Sequence, residues 1–526
     1  MIHRRALIGG SAAAGGLVLA RPALAQSASS RVLRFVPQAA YSVPDPVWTT
    51  AIVVITHSLM VYDTLYGVDI DLAPQPQMCA GSTVSPDGLV WDFTLRDGLL
   101  FHDGTPVRGV DVAQSIRRWG QRDTFGQQLL ALTAEITAPS DLTFRIRLTA
   151  PFPRMLYALG ASSCFIMPER VAKTSAGEAI KDFTGSGPFK FLQNEWVAGV
   201  RAVYARFEGY KPRAAPPNFL AGGKIAHFDR VEWVTQPDPG TAASALRAGE
   251  IDWIDQPLFD LVPSLKKDPK VAVQQLDAFG LIGIIALNHL QPPFNNAKLR
   301  QALLPAVDQR EFVAAVLGDQ VEYARIPVGY FTAGSPMASD AGMAALTGKR
   351  DIALARKMVD ASGYAGETAV IMDPADQPQM HAMAEVTLGI YQQLGIKSRI
   401  EATDWGTLLS RRAVTKPITD GGWSSFNTRQ TGLGAADPTN AQLRGNGLKA
   451  WFGWPTDPAL DEQRVAWFNA PDLAGQKRAS EAMQLEAFRA VPYIPLGQWS
   501  QPTAYRSDLT GFVKGSNPVF WGVRRA

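Results

Sequence analysis

Cysteine is nearly absent: Cys79 and Cys164 are the only two in 526 residues. A CxxC redox pair and a cysteine-built zinc site are therefore excluded, and the two thiols leave open either one disulfide or two separate buried groups. Histidine is almost as scarce. His3, His57, His102, His227, His289 and His381 show neither HExxH nor i,i+4 pairing, so the sequence predicts no metal site and no cofactor. Charge of one sign is missing too. Removing residues 1–25, which carry Arg4, Arg5 and Arg21 and no acid, leaves 48 basic and 48 acidic residues. A neutral body without a Lys/Arg block argues against nucleic acid or an anionic membrane as a partner. Long apolar runs are also lacking. Leu281–Leu287 is the longest beyond the leader, about a third of what spans a bilayer, and it reads as a buried strand.

What is present begins with an export signal. His3, Arg4 and Arg5 precede a small-residue apolar stretch from Ala6 to Ala20, and Ala23-Leu24-Ala25 forms an A-x-A cleavage site. The mature chain is expected to start at Gln26 and to be periplasmic. The adjacent arginines and the Gly/Ala-rich stretch favour the twin-arginine route. At this length two or more lobes are expected. Strands are expected at Val32–Val36, Leu89–Arg96, Leu142–Thr149, Ile251–Ile254 and Ile396–Ile400, by alternation or by position between helix stops. Helices are expected over Thr56–Leu65, around Val112, Ile116 and Trp119 with Gly120 as a left-handed stop, from Thr241 to Gly249, over Ala297–Leu317, and over Met380–Leu394. The alternation is that of an α/β fold. No repeat and no low-complexity linker occurs, so the lobes should join through strands.

Catalytic signatures fail. There is no GxSxG and no Walker loop. Ser264-Leu265-Lys266-Lys267 matches SxxK without the Ser-Asp-Asn or Lys-Thr-Gly that such enzymes need, and His102-Asp103-Gly104 reads as a polar turn. The chain is expected not to be an enzyme; an exported hydrolase is the alternative resting on those two motifs.

One block is specific. Ser85-Pro86-Asp87-Gly88-Leu89-Val90-Trp91-Asp92-Phe93-Thr94-Leu95-Arg96-Asp97-Gly98, continuing through Phe101-His102-Asp103-Gly104-Thr105-Pro106 to Asp111-Val112, resembles the signature of the family 5 extracytoplasmic solute-binding proteins. These are the dipeptide, oligopeptide and nickel receptors of ABC importers. Gly185-Ser186-Gly187-Pro188-Phe189, Ala245 to Asp252, Leu287-Asn288 with Arg300-Gln301-Ala302-Leu303, and Val491 to Leu496 follow in the family's order. The resemblance implies a two-lobed periplasmic binding protein, hinged and class II-like, with an extra subdomain inserted in lobe one. Lobe one would cover residues 26–280, lobe two 281–494, and 495–526 would return to lobe one. It implies a monomer that captures a small solute between the lobes and delivers it to an inner-membrane ABC permease. Service to a chemosensor, or a holding-chaperone role, is the other alternative.

The expected ligand-binding residues are Tyr41, from the irregular segment Tyr41–Trp48, and Trp405, Trp423, Phe426 and Asn427 from lobe two. Gly422-Trp423 resembles the element that precedes the peptide receptors' ligand aspartate. Three residues beyond that Trp, where the peptide receptors carry the acid that pairs with a peptide's amino terminus, this chain has Phe426. Peptide transport is the family default, and this departure points to a non-peptide ligand.

Overall fold

The computed structural model describes residues 31–161, 164–277, 279–470 and 472–526. The export-signal reading, residues 1–25, lies outside the described residues.

Two mixed sheets organise the chain. The first has seven strands, in the order Phe189–Phe191, Arg201–Arg206, Arg230–Val234, Val32–Val36, Trp253–Ile254, Thr503–Arg506 and Val271–Gln274. Val32–Val36 lies parallel to both of its neighbours. The second has six strands, in the order Ala324–Arg325, Tyr493–Trp499, Leu281–Leu287, Ser425–Thr431, Ala369–Pro374 and Ser398–Thr403. Leu281–Leu287 is buried at every position because it has a strand on either side, and a helix, Pro378–Gln393, is in contact with the same sheet. That burial is why it reads as an unbroken apolar run.

The chain passes from the first sheet to the second between Gln274 and Leu281, and returns between Trp499 and Thr503. The return therefore falls after Pro495, the boundary expected from sequence. Tyr493–Trp499 pairs with Leu281–Ala286, with Leu281 opposite Trp499 and a bulge opposite Gly283, so those residues belong to the second sheet.

Between the first two strands of the first sheet, in sequence, lies a separate four-stranded antiparallel sheet: Cys79–Val84, Val90–Leu95, Thr143–Leu148 and Thr133–Ser140. Phe93 and Phe144 are directly opposed and stack with centroids 4.5 Å apart, and Arg145 pairs with Asp92 on the outer face. The helix Gly109–Trp119 covers the inner face. The long motif at Ser85–Pro106 is thus sheet and turn, and none of it lines the interlobe cavity described below.

The motif Gly185-Ser186-Gly187 is also scaffold. His102 Nε2 lies 3.0 Å from the Gly187 carbonyl, the Gly185 N–H donates to His102 Nδ1, and Ser186 Oγ accepts from the Asp63 N–H. Glycine is required at 185 because a Cβ there would sit 1.9 Å from the Val61 carbonyl oxygen. His102-Asp103 therefore serves a turn, with Asp103 ion-paired to Arg170. Ser264 of the SxxK motif accepts from Arg247 and donates to the Leu261 carbonyl, while Lys266 reaches Tyr323.

Some expectations shift. The predicted Thr56–Leu65 helix runs over Ile52–Val61. The single helix expected over Ala297–Leu317 is two, Ala297–Leu303 and Gln309–Leu317: Pro305 interrupts it and Asp308 caps the second by accepting from the Arg310 N–H. Gly120 is not left-handed (φ −64°); it is needed because a Cβ there would meet Leu130 at 2.5 Å. Gly249 and Gly395 are the glycines that end their helices in the left-handed conformation, at φ 79° and 76°. Cys79 and Cys164 are both buried and free, and burial pushes the Cys79 thiol up to about 12.

Candidate functional site in the interlobe cleft

A cavity of about 240 Å³ lies between the two lobes and is lined by both. Helix Ile52–Val61 presents Ile52, Ile55 and Leu59 to it, one stripe at helical spacing, while the rest of that helix is core. Phe125 and Tyr157 extend this apolar wall. Lobe two faces it with Trp405, Arg412, Trp451 and the strand end Thr428–Thr431. Further cavities, sharing Gln38 and Arg429 on one side and Thr50 and Trp451 on the other, continue the cleft in both directions.

The lobe-one wall is fastened from behind. In the irregular segment after Tyr41, Asp45 is fully buried and ion-paired to Arg118 at 2.7 Å. The same carboxylate accepts from the Val47 and Ile180 N–H groups. A buried pair satisfied this fully fixes the segment leading into Thr49 and Thr50, which touch lobe two. Across the cleft, Arg412 Nη2 donates to Thr49 Oγ1 (2.9 Å), Trp451 Nε1 to Thr50 Oγ1 (3.3 Å), Arg429 Nη2 to Gln38 Oε1 (2.6 Å) and Arg444 Nη1 to the Arg122 carbonyl (2.7 Å).

The charges on the wall are unequal in how they are accommodated. Asp437 accepts from both the N–H and the hydroxyl of Thr439 and feels Arg154 and Arg464, although burial raises its pKa. Asp123 caps the helix Thr124–Leu132 through the Phe125 and Gly126 N–H groups. Arg429 donates to Gln379 and Gln38 and faces Asp255, whose carboxyl burial pushes up to about 7. Arg412 has no acid at all among the described residues, and burial pulls it down to about 9, with Arg122 adding to the fall.

Of the residues expected from sequence, Trp405 lines the cavity, with its indole N–H unpartnered. The other four lie behind the wall. Tyr41 stacks on His57 at 4.7 Å within a lobe-one aromatic cluster that includes Trp196 and Trp233. Trp423 is fully buried, edge-on to Phe426 at 5.0 Å, and its indole N–H donates to the Arg412 carbonyl. Phe426 is fully buried beneath Trp451. Asn427 donates to Thr387 Oγ1 on the far side of its strand. Sequence reasoning did not single out Arg412, Arg429 and Trp451. Its one available signal was the Arg411-Arg412 pair at the end of the Trp405 helix, whose two side chains leave the axis about 100° apart and so face different surroundings.

The profile of the bacterial extracellular solute-binding proteins, family 5 (middle), matches residues 73–445. A probable peptide ABC transporter periplasmic-binding protein of Sinorhizobium fredii is 36% identical over 488 residues, 92% of each chain. Among solved structures, a periplasmic binding protein of A. tumefaciens R10 in complex with agropinic acid superposes with TM-score 0.78 at 21% identity, covering 94% of this chain and 99% of its own. An ABC transporter-associated periplasmic binding protein of Helicobacter pylori in complex with the peptide STSA gives 0.76 at 21% identity, covering 94% and 98%. The two-lobed architecture is that of periplasmic binding proteins, and with the profile match and the 36% relative the chain belongs to the family 5 bacterial extracellular solute-binding proteins.

Proposed function

We propose that the chain is the periplasmic receptor of an ABC importer, that it holds a small solute in the interlobe cleft without turning it over, and that the solute is not a linear peptide held by its amino terminus. The observation that carries the last point is the buried Phe426. A peptide's ammonium in a closed, water-poor cleft needs an acid beside it, and leaving it unpaired costs several kcal/mol. At position 426 an aromatic ring fills the core instead. The acids that do line the cavity, Asp123 and Asp437, are already engaged by a helix end and by Thr439. Absence of turnover is supported by the scaffold roles of His102-Asp103 and of Ser264.

A peptide is the second reading, and the name of the S. fredii relative favours it. Export through a signal ending at Ala25, by the twin-arginine route, completes the proposal. Native mass spectrometry of the protein recovered from the periplasm tests it in one measurement. The expected result is a chain starting at Gln26 with a small non-peptide solute bound. A copurifying peptide whose binding is lost on amino-acetylation would overturn the ligand reading, and retention of Arg4 and Arg5 would overturn the cleavage.

A further inference from the structure

The other buried arginines have more of their charge or N–H groups answered than Arg412, although Arg429 Nε and Arg464 Nη2 also lack a partner among the described residues. Arg118 has Asp45 at 2.7 Å, and Arg464 has Asp461. Arg300 donates to the carbonyls of Phe294 and Ala490. Arg444 donates to the Arg122 and Lys449 carbonyls and to Gln127. Arg429 has two glutamine oxygens and faces Asp255.

Arg412 is 2% exposed, and among the described residues the one hydrogen bond its side chain donates goes to the Thr49 hydroxyl. Its Nε has no partner. Its guanidinium lies 4.2 Å over the Phe452 ring and 5.8 Å from that of Trp451, contacts that steady a cation without neutralising it. Arg411, one residue earlier, shows the ordinary alternative: it turns outward and pairs with Glu401 at 2.6 Å. Arg412 turns inward and lines the interlobe cavity. A guanidinium offers five N–H donors in a planar fork suited to a carboxylate, and burying one without an anion costs several kcal/mol.

The rest of the wall does not supply that anion. Asp437 and Asp123 are held by Thr439 and by the helix end at Phe125, and neither is ion-paired to Arg412. The nearest charge in effect is a second cation, Arg122. The wall carries two arginines, Arg412 and Arg429, and of the two it is Arg412 that no acid faces among the described residues.

We propose that Arg412 is the seat for an acid group of the solute, which carries a carboxylate or an anion of like geometry that accepts from Nε and the remaining guanidinium N–H groups. This rests on the receptor reading above and adds the solute's charge and the residue that selects it.

The test is calorimetric titration of the exported chain with matched pairs, each a free acid and its carboxamide: agropinic acid, and the peptide Ser-Thr-Ser-Ala. A pair that binds should favour the acid by roughly 100-fold. Arg412→Met, which keeps the apolar stem, should remove that preference. The melting temperature of solute-free Arg412→Met supplies a second readout that needs no ligand, with Arg412→Lys as the variant that retains charge. Removing an unanswered buried cation should leave melting equal or higher, whereas Arg412→Lys should not raise it. Acid and amide binding equally, or Arg412→Met binding the acid as the parent does, would overturn the role of Arg412 while the receptor reading stands. If neither pair binds, melting decides for Arg412: a fall of several degrees in Arg412→Met marks a structural arginine and overturns the proposal. Failure of the receptor reading looks different, as no binding together with no copurifying solute.

Discussion

Asp255 gives the structure a pH dependence of unusual sign. It follows the strand Trp253–Ile254 at the base of the cleft, is buried, accepts from the Gln38 backbone N–H, and has Arg429 as its nearest cation. Desolvation outweighs both favourable contacts and pushes the carboxyl from 3.8 to about 7. Between those values the folded chain keeps a proton that the unfolded chain has released. The unfolded state then binds fewer protons, so stability falls as pH rises through this window and levels off above it. At about 1.36 kcal/mol per unit, the loss is at most about 4 kcal/mol, reduced by whatever relaxation the site allows.

Asp255→Asn reproduces the protonated form, with a carbonyl for the Gln38 N–H and no charge. The variant should match the parent near pH 4 and exceed it by up to about 4 kcal/mol near pH 8. Urea unfolding at intermediate pH values measures the difference, which cancels the carboxylates common to both proteins, including Asp277, pushed up to about 6 by burial near the crossing to the second lobe. A variant less stable than the parent at pH 8, or a difference that does not change with pH, would show that Arg429 holds Asp255 ionised and that the argument has the sign wrong.

Two pairs of substitutions test the scaffold and the cleft. Gly185→Ala should cost more than about 3 kcal/mol, since its Cβ would overlap the Val61 carbonyl, whereas Gly81→Ala, with nothing within 4 Å, should be neutral or stabilising by up to about 1 kcal/mol; equal melting temperatures for the pair would refute the close approach. Trp423→Ala should lower folding stability by about 3–5 kcal/mol because the ring is core, while Trp405→Phe should fold normally and weaken solute binding; the reverse pattern in chemical denaturation and titration would exchange their roles.

The fold was legible wherever burial is uniform along an element. Leu281–Leu287 matches residue for residue because a strand enclosed between neighbours leaves an unbroken apolar run; Val32–Val36 matches too, with Arg34 half-buried within it. The helix Ile52–Val61 was displaced in the reading because Ile52-Val53-Val54-Ile55 is β-branched, a propensity that packing overrides. The split at Pro305 and Asp308 was missed by following apolar spacing past a proline. The cleft was far less legible. Trp423 and Phe426 are large and apolar, properties a binding wall and a core share, and it is the turn of the second sheet that assigns them to the core. Arg412 was missed for the opposite reason: pattern reading sends a charged residue at a helix end to solvent, and a local rule broken by a buried charge is what marks a functional position.

The contacts that bridge the lobes bear on how closure is controlled. Arg412 to Thr49, Trp451 to Thr50, Arg429 to Gln38 and Arg444 to the Arg122 carbonyl are polar bonds that open lobes would exchange for water, so each contributes about 0.5–1.5 kcal/mol at most. Against them stands the cost of drawing Arg412 out of water with no anion beside it, several kcal/mol, enough to offset most of that sum. Closure without solute is then close to balanced. Moving a balanced equilibrium to ninety-nine parts closed in a hundred takes about 2.7 kcal/mol of preference for the closed form, which a fully desolvated charge pair is large enough to supply. The buried arginine that makes the empty closed cleft expensive is thus what makes closure depend on the solute, since a ligand that binds both forms equally shifts nothing. It follows that Arg412→Met should close more readily with nothing bound. Small-angle scattering of the solute-free proteins measures this, with a smaller radius of gyration expected for the variant. An unchanged or larger radius would mean that Arg412 holds the lobes together through Thr49 and does not keep them apart.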